Sequence, residues 1–411
     1  MNSRERVRAA IEHREPDRVP VDLGGTIMSG IMAQALAKVR PYLGLDSRPP
    51  RVYEVFQMLG EVEPDMVERL GIDVLPIEPE ALFFGLKRRD YKAWTLFDGT
   101  PVRVPGQFNV VDAGDHLILH EEGDPAKPAV GRMPKNGYYF DQIGDQELHP
   151  GFEPPPLEEM KAAYLRPIET QKLEFIAGEA QRLRSTGKAL LFGDWFDFGP
   201  AGVGNMPDWL CLLAAESEYV EELFKLKAEG DLIRLQQVKD YLGDNIDIFG
   251  VDGADYGTQR AEMFSAEMFQ QYYLPYYRAV IGWIRANTPW KTWKHTCGAA
   301  RKFIPYFIDA GLDCLNPVQC SADGMDPIGL KHDFGKYITF WGGGVDTQRT
   351  LPFGTPEEVY QEVAARIRIF APGGGFVFNT IHNIQANTPP ENLDALFRAL
   401  RDYGGYPIKS L

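Results

Sequence analysis

Cysteine is scarce in this 411-residue chain: Cys211, Cys297, Cys314 and Cys320, with no C-x-x-C pair among them. That excludes a disulfide-stapled scaffold, and a chain of this length can bury a full core without staples. Long apolar runs are missing as well. None reaches the ~18 residues needed to span a bilayer, and the opening MNSRERVRAAIEHREPDR has no signal-peptide core. Basic residues are outnumbered, 43 Lys and Arg against 58 Asp and Glu, for a net charge of −15. Phosphate backbones are held by clustered cations, so this balance argues against a nucleic-acid partner. The expectation is a cytoplasmic globular protein that binds neither nucleic acid nor membrane. No internal repeat or low-complexity tract is present, and no G-x-x-x-x-G-K-[ST] phosphate loop.

What is present is alternation. Short apolar or β-branched runs at 18–24, 72–77, 189–196, 246–252, 291–296, 312–319, 338–345 and 376–381 are mostly followed by helical patterns. Strands alternating with helices pair in parallel through right-handed crossovers, and this many units predicts a closed (β/α)8 barrel of the TIM type. Helix starts are marked at Thr355-Pro356-Glu357-Glu358 and Thr388-Pro389-Pro390-Glu391, each read as a Thr cap, a Pro and a reciprocating Glu. Cys211, in the helical pattern DWLCLLAAESEYVEELF, and Cys314, inside a strand run, read as core. One stretch, 94–152, is dense in Gly, Pro and Asp with short alternating pieces. It predicts a β-hairpin insertion in the N-terminal half of a single barrel domain, 1–411, roofing one end of it.

In such a barrel the loops at the C-terminal strand ends carry the chemistry. The expected ends bring Asp194, Asp197, Asp252, Asp255, His295, Cys297, Cys320, Asp346 and His382. Imidazole and thiolate are zinc ligands by type, and an i, i+2 pair in extended chain shares one face, so His295 and Cys297 form a candidate metal pair. Cys320 and His382 are candidates for a third ligand. The competing readings are core packing for Cys320 and a loop hydrogen bond for His382. Asp252 and Asp346 are candidate catalytic carboxylates and Asp255 a candidate substrate holder, against helix capping as the alternative. Trp195, Trp341 and Tyr256, with Trp293, read either as barrel core or as an aromatic wall for a planar substrate.

Several longer phrases carry a resemblance. Arg4-Glu5-Arg6-Val7, Glu15-Pro16-Asp17-Arg18-Val19-Pro20, KHTCG, LNPVQCSADGMDP, FWGGGVDTQRTLPFGTPEEV and GGGFVFNTIHNIQANTPPENL together resemble the uroporphyrinogen decarboxylase superfamily. The resemblance covers nearly the whole chain apart from the insertion and implies a barrel with its site at the C-terminal face. Decarboxylases of that superfamily hold substrate carboxylates with the arginines of a W-x-M-R-Q-A-G-R stretch; here 24–30 reads GGTIMSG, without Arg. The other branch comprises zinc-dependent, corrinoid-linked methyltransferases, including coenzyme M enzymes and O-demethylase components. It is marked by an H-x-C pair and a third soft ligand near the last strand. His295 and Cys297 match the pair; in place of the Cys of the coenzyme M enzymes stands His382, with Cys320 as the other option.

The resemblance therefore implies methyl transfer between a small methylated substrate, expected to be an aryl methyl ether, and the cobalt of a corrinoid. Zinc would serve as Lewis acid. No D-x-H-x-x-G corrinoid motif occurs in this chain, so the corrinoid is expected on a partner protein. The alternative is a cofactor-free decarboxylase acting on a smaller carboxylate, with Asp252 or Asp346 as its polar centre. A third reading is a barrel that only binds. A homodimer is compatible with all of them.

Overall fold

The structure, a computed structural model, describes residues 1–144, 146–193 and 197–409. Seven short strands form one all-parallel sheet in chain order: β1 (Val74–Ile77), β2 (Ala189–Phe192), β3 (Ile248–Asp252), β4 (Lys291–His295), β5 (Cys314–Asn316), β6 (Thr339–Trp341) and β7 (Phe376–Val377). Helices fill the crossovers, among them Thr170–Arg184, Ser217–Leu242, Leu274–Asn287, Ile304–Ala310, Pro327–Phe334 and Pro356–Phe370, and Pro390–Tyr403 follows β7. Strands covered on both faces read as continuous apolar runs, and alternate residues go to opposite sides. Leu190, Phe192, Phe249, Leu315, Phe340 and Phe376 pack with the helices. Ala189, Leu191, Ile248, Trp293, Cys314, Trp341 and Val377 form a separate inner cluster, with Val7 and Ile11 of the helix Ser3–Ile11 packed into it.

The first expected strand, 18–24, is not a ladder strand. It contributes a single parallel bridge, Val21 to Phe378. Its backbone nevertheless meets both edges of the sheet: Phe378 N–H donates to Pro20 O and Asp22 N–H to Phe378 O, while Asp73 N–H donates to Val21 O. Buried Asp73 explains the charged phrases near the N-terminus. Its carboxylate accepts from Arg6 (2.8 Å) and Arg18 (2.7 Å), and Arg6 also forks onto both oxygens of Asp17 at 2.7 Å. These residues fasten the first helix beneath the sheet.

Thr355 caps its helix with the full reciprocal pair to Glu358. Thr388 does not cap: its helix starts at Pro390 behind Pro389, and the buried Thr388 hydroxyl has no hydrogen-bond partner among the described residues. Cys314 is buried in the inner cluster, whereas Cys211 is exposed, because it falls on the outward face of the helix Met206–Ala215. The irregular stretch folds as a two-stranded antiparallel pair, Lys92–Thr95 with Pro101–Val104, followed by a four-stranded antiparallel sheet from Val110–Asp112 to Asp141–Gln142. Leu119, Met133 and Phe140 there share an apolar cluster with Val52, Val55 and Met58. Among the described residues no helix is long and apolar enough to cross a membrane.

Candidate metal centre at the strand ends

β4 ends at His295, and its register sets Trp293 opposite Cys314 and His295 opposite Asn316. Two residues above Trp293, the imidazole therefore stands one layer above the inner apolar cluster. Its Nδ1 lies 2.8 Å from Asn316 Oδ1, and the Asn316 amide is oriented by its own donation to Trp341 O (2.9 Å). That fixes the tautomer and leaves Nε2 outward, 3.4 Å from Cys297 Sγ. The His382 ring stands edge-on to His295, with ring centres 5.6 Å apart and planes at 77°. One ligand atom from each of His295, Cys297 and His382 lies within 4.8 Å of the other two. Asp255 flanks the trio: its Oδ1 accepts the Cys297 N–H at 2.7 Å and lies 3.5 Å from His295 Nε2.

Backbone packing holds Cys297 in place. Gly298 has φ +82°, and a Cβ there would sit 2.4 Å from the carbonyl carbon of Gly257, so the loops after β3 and β4 touch main chain to main chain. A side chain could not enter without separating them. Electrostatics follow the same grouping. Burial opposes the charged imidazole, but the Cys297 and Asp255 charges prevail and push His295 up to about 10. Burial, then the neighbouring His295, pushes His382 down to about 4. Against the cost of burial, His295 and the Cys297 amide hold Asp255 well below the usual carboxylate range. Two imidazoles and one thiol, two of the three from the end of β4 and the third from the loop after β7, are a donor set of zinc type.

The other expected residues are placed differently. Cys320 is not part of the trio: it packs against the main core, and burial pushes its thiol up to about 12. Asp346 uses its Oδ1 on the amides of Gln348 (2.7 Å) and Arg349 (3.1 Å), building its own turn. Asp252 is a buried hub that accepts from Lys294 Nζ (2.9 Å), the Tyr256 hydroxyl (2.8 Å), the Tyr277 hydroxyl and the Ala254 amide. Tyr256 is thereby tied into the core, against Phe264 and Tyr273, and is not a free wall. Trp341 and Trp293 belong to the inner cluster, Trp341 donating its indole N–H to Asp22. Trp195 and Asp194 lie outside the described residues.

Reading the sequence missed Asn316, Lys294 and two buried carboxyls, Asp22 and Glu54. A polar residue inside LNPVQC was the available signal for Asn316. Because a partner of this kind typically changes metal affinity 10–100-fold, Asn316→Ala is expected to weaken zinc by that order in a chelator competition. An unchanged affinity would remove Asn316 from the site. Glu54 accepts from the amides of Phe56 and Gln57, and burial pushes it up to about 8 from its ordinary 4.5. The folded state thus keeps a proton that the unfolded chain has already lost, so stability falls as pH rises between those values. The expected slope is at most about 1.4 kcal/mol per pH unit. Urea midpoints across that range should show it, and Glu54→Gln should flatten it.

An α/β sheet with a soft-donor trio at its C-terminal edge defines the class of scaffold. Residues 235–403, which hold the whole trio, match the uroporphyrinogen decarboxylase (URO-D) family, and the chain carries a domain of that family. A methylated-thiol–coenzyme M methyltransferase of Methanosarcina mazei is 28% identical over 142 residues, 34% of this chain and 35% of that protein. A uroporphyrinogen decarboxylase of Pseudoalteromonas translucida is 32% identical over 92 residues, 20% of this chain and 25% of that protein. The chain thus aligns with about a third or less of these curated relatives. A methyltransferase from Methanosarcina mazei superposes with TM-score 0.55 at 14% identity, covering 98% of this chain and 99% of that chain, so the two share a fold. The chain is related to enzymes of the URO-D superfamily that include methyltransferases.

Proposed function

We propose that this protein transfers a methyl group between a small methylated substrate and the cobalt of a corrinoid carried by a separate protein. The observation that carries the reading is the convergence of His295, Cys297 and His382 on one point at the strand ends. The segment Pro20–Asp22, bonded to both sheet edges, supports reading the sheet as a closed (β/α)8 barrel, and in such a barrel this point lies at the working face. The three side chains would hold zinc, with Asn316 setting the imidazole and the Gly257–Gly298 contact setting the thiol. When bound, zinc supplies a Lewis acid for the atom that gives up the methyl group. Asp255, beside His295 Nε2, would face the same point and bias it toward cationic or neutral groups.

An aryl methyl ether remains the proposed donor, on different grounds from the tryptophans. Ile27, Met32, Tyr53, Leu59 and Ala386 form an apolar cluster against which Met28, Leu82 and Phe83 pack, drawn from the loops after Asp22, β1 and β7 and from the antiparallel pair Val52–Glu54 with Leu59–Gly60. Phe83 adjoins Phe56 at 4.9 Å and Phe84 at 6.1 Å between ring centres. The relative from Methanosarcina mazei favours a methylated thiol as the second reading. The test is methyl transfer to a reduced free corrinoid by zinc-loaded protein. Methoxylated aromatics are expected to react and methylated thiols to react more slowly. Transfer from neither, beside decarboxylation of a small carboxylate by metal-free protein, would overturn the proposal.

A further inference from the structure

The chain that carries Cys297 past the end of β4 donates successive amides to oxygens on other elements. Thr296 N–H donates to Asn316 O (2.6 Å), Cys297 N–H to Asp255 Oδ1 (2.7 Å), Gly298 N–H to Gln319 Oε1 (2.7 Å) and Ala299 N–H to Thr258 O (2.8 Å). Gln319 comes from the loop after β5 and is 4% exposed. Its Nε2 donates in turn to Gln259 Oε1 at 3.0 Å, in the loop after β3. One side chain thus ties the loops after β3, β4 and β5 together. The Gly298 N–H needs an acceptor, which fixes the oxygen of the Gln319 amide on that side.

These bonds decide what the sulfur meets. A metal-bound thiolate keeps lone pairs that nearby N–H groups can share, and each such bond drains charge that would otherwise go to the metal. The amides just after a cysteine ligand are the nearest candidates for that sharing. Here both, at 298 and 299, are committed to oxygen instead. Ala299 is held main chain to main chain by Thr258, but Gly298 is held by a side chain, so a single substitution can release it. A neutral amide suits the position. It offers an oxygen to Gly298 and an N–H to Gln259 at once, and adds no charge near Asp255.

We propose that Gln319 is a positioning residue of the metal centre: its amide oxygen draws the Gly298 N–H away from the Cys297 thiolate, which keeps its full charge for the metal. This role rests on the metal reading above. Cobalt(II) titration followed by absorption, with zinc affinity by chelator competition, tests it on wild type, Gln319→Met, Gln319→Glu and Gln259→Ala. Wild type is expected to show a thiolate-to-cobalt charge-transfer band in the near ultraviolet. Gln319→Met removes the oxygen at similar length and frees the Gly298 N–H to turn to the sulfur. That should move the band to higher energy and weaken zinc about tenfold, while the visible bands that report coordination geometry stay in place. Gln319→Glu keeps an oxygen toward Gly298 and should restore both. Gln259 is exposed, so Gln259→Ala folds even where Gln319→Met does not. By releasing the far end of the Gln319 amide it should shift the band in the same direction by less. Wild type without a charge-transfer band would overturn the metal reading, and this role with it. A wild-type band that both Gln319→Met and Gln259→Ala leave in place would overturn this role alone. So would weaker zinc with an unmoved band, which marks a mere brace, or a Gln319→Glu protein that behaves as Gln319→Met.

Discussion

Cys297→Ser is expected to lower zinc affinity by at least about a hundredfold, exceeding what partners that merely orient a ligand contribute. A thiolate is the softest donor in the trio and a hydroxyl cannot replace it at neutral pH. His382→Ala should have an effect of similar order, because it removes one of three protein ligands. Cys320→Ser should have none, since that thiol is buried against the core and outside the trio. The readout is competition against a chromophoric chelator, with metal content of the purified protein beside it. Were Cys320→Ser to empty the site while His382→Ala kept it, the assignment of ligands would be wrong. Metal uptake should also release protons, since a bound imidazole must be neutral and a bound thiol ionised.

The second large effect is on stability. Lys294 is fully buried, 2.9 Å from Asp252, with its Nζ also donating to the carbonyls of Ala254 and His295 and lying 4.3 Å above the Tyr256 ring. Lys294→Met should cost about 3–5 kcal/mol, because it strands a buried carboxylate. Asp252→Leu should cost a comparable amount, by stranding the ammonium and two tyrosine hydroxyls. The double variant should cost less than the sum, since neither charge is then left alone. It should not return to wild type, because the Tyr256 and Tyr277 hydroxyls, 2.6 Å apart, can satisfy one donor between them while the other, and the Ala254 amide, lose their acceptor. Denaturant midpoints of the four proteins measure this directly. Additive losses would mean that the pair is not coupled.

That hub shows why the sequence was legible only in part. Asp252 stands out because it ends a strand, and the strands themselves were legible: seven of the eight expected runs each contain one sheet strand, the exception being 18–24. What a single sequence cannot carry is which neighbour reaches a carboxylate first. Asp252 meets Lys294, Tyr256 and Tyr277 from across two strands and a helix, and Asp346 meets the amides of its own turn. The tryptophans were ambiguous for a related reason. Alternation along a strand tells inside from outside, yet not how high a layer sits along the sheet, so Trp341 fell into the apolar floor while His295 rose above it. His295 and Cys297 were readable because their pairing is local. His382 could be proposed but not chosen over Cys320, since that choice depends on how the loop after β7 lies against the end of β4.

The loop that bears His382 is stitched to the start of the protein. Asn383 accepts from the Gly30 amide and donates to Ile27 O, Ile384 N–H donates to Gly30 O, and Met32 N–H to Ile384 O. At about 5–20 residues per second, a ribosome needs roughly 20–70 s to travel from the first partner to the last. Throughout that interval the early segment is held by nearer partners, as in Gly60 N–H to Ile31 O and Ala33 N–H to Met58 O, while its contacts to the last strand wait and the sheet keeps two open edges. The His295, Cys297 and His382 trio therefore comes together late in synthesis rather than nucleating it, and a nascent chain would be most exposed to mispairing just before then.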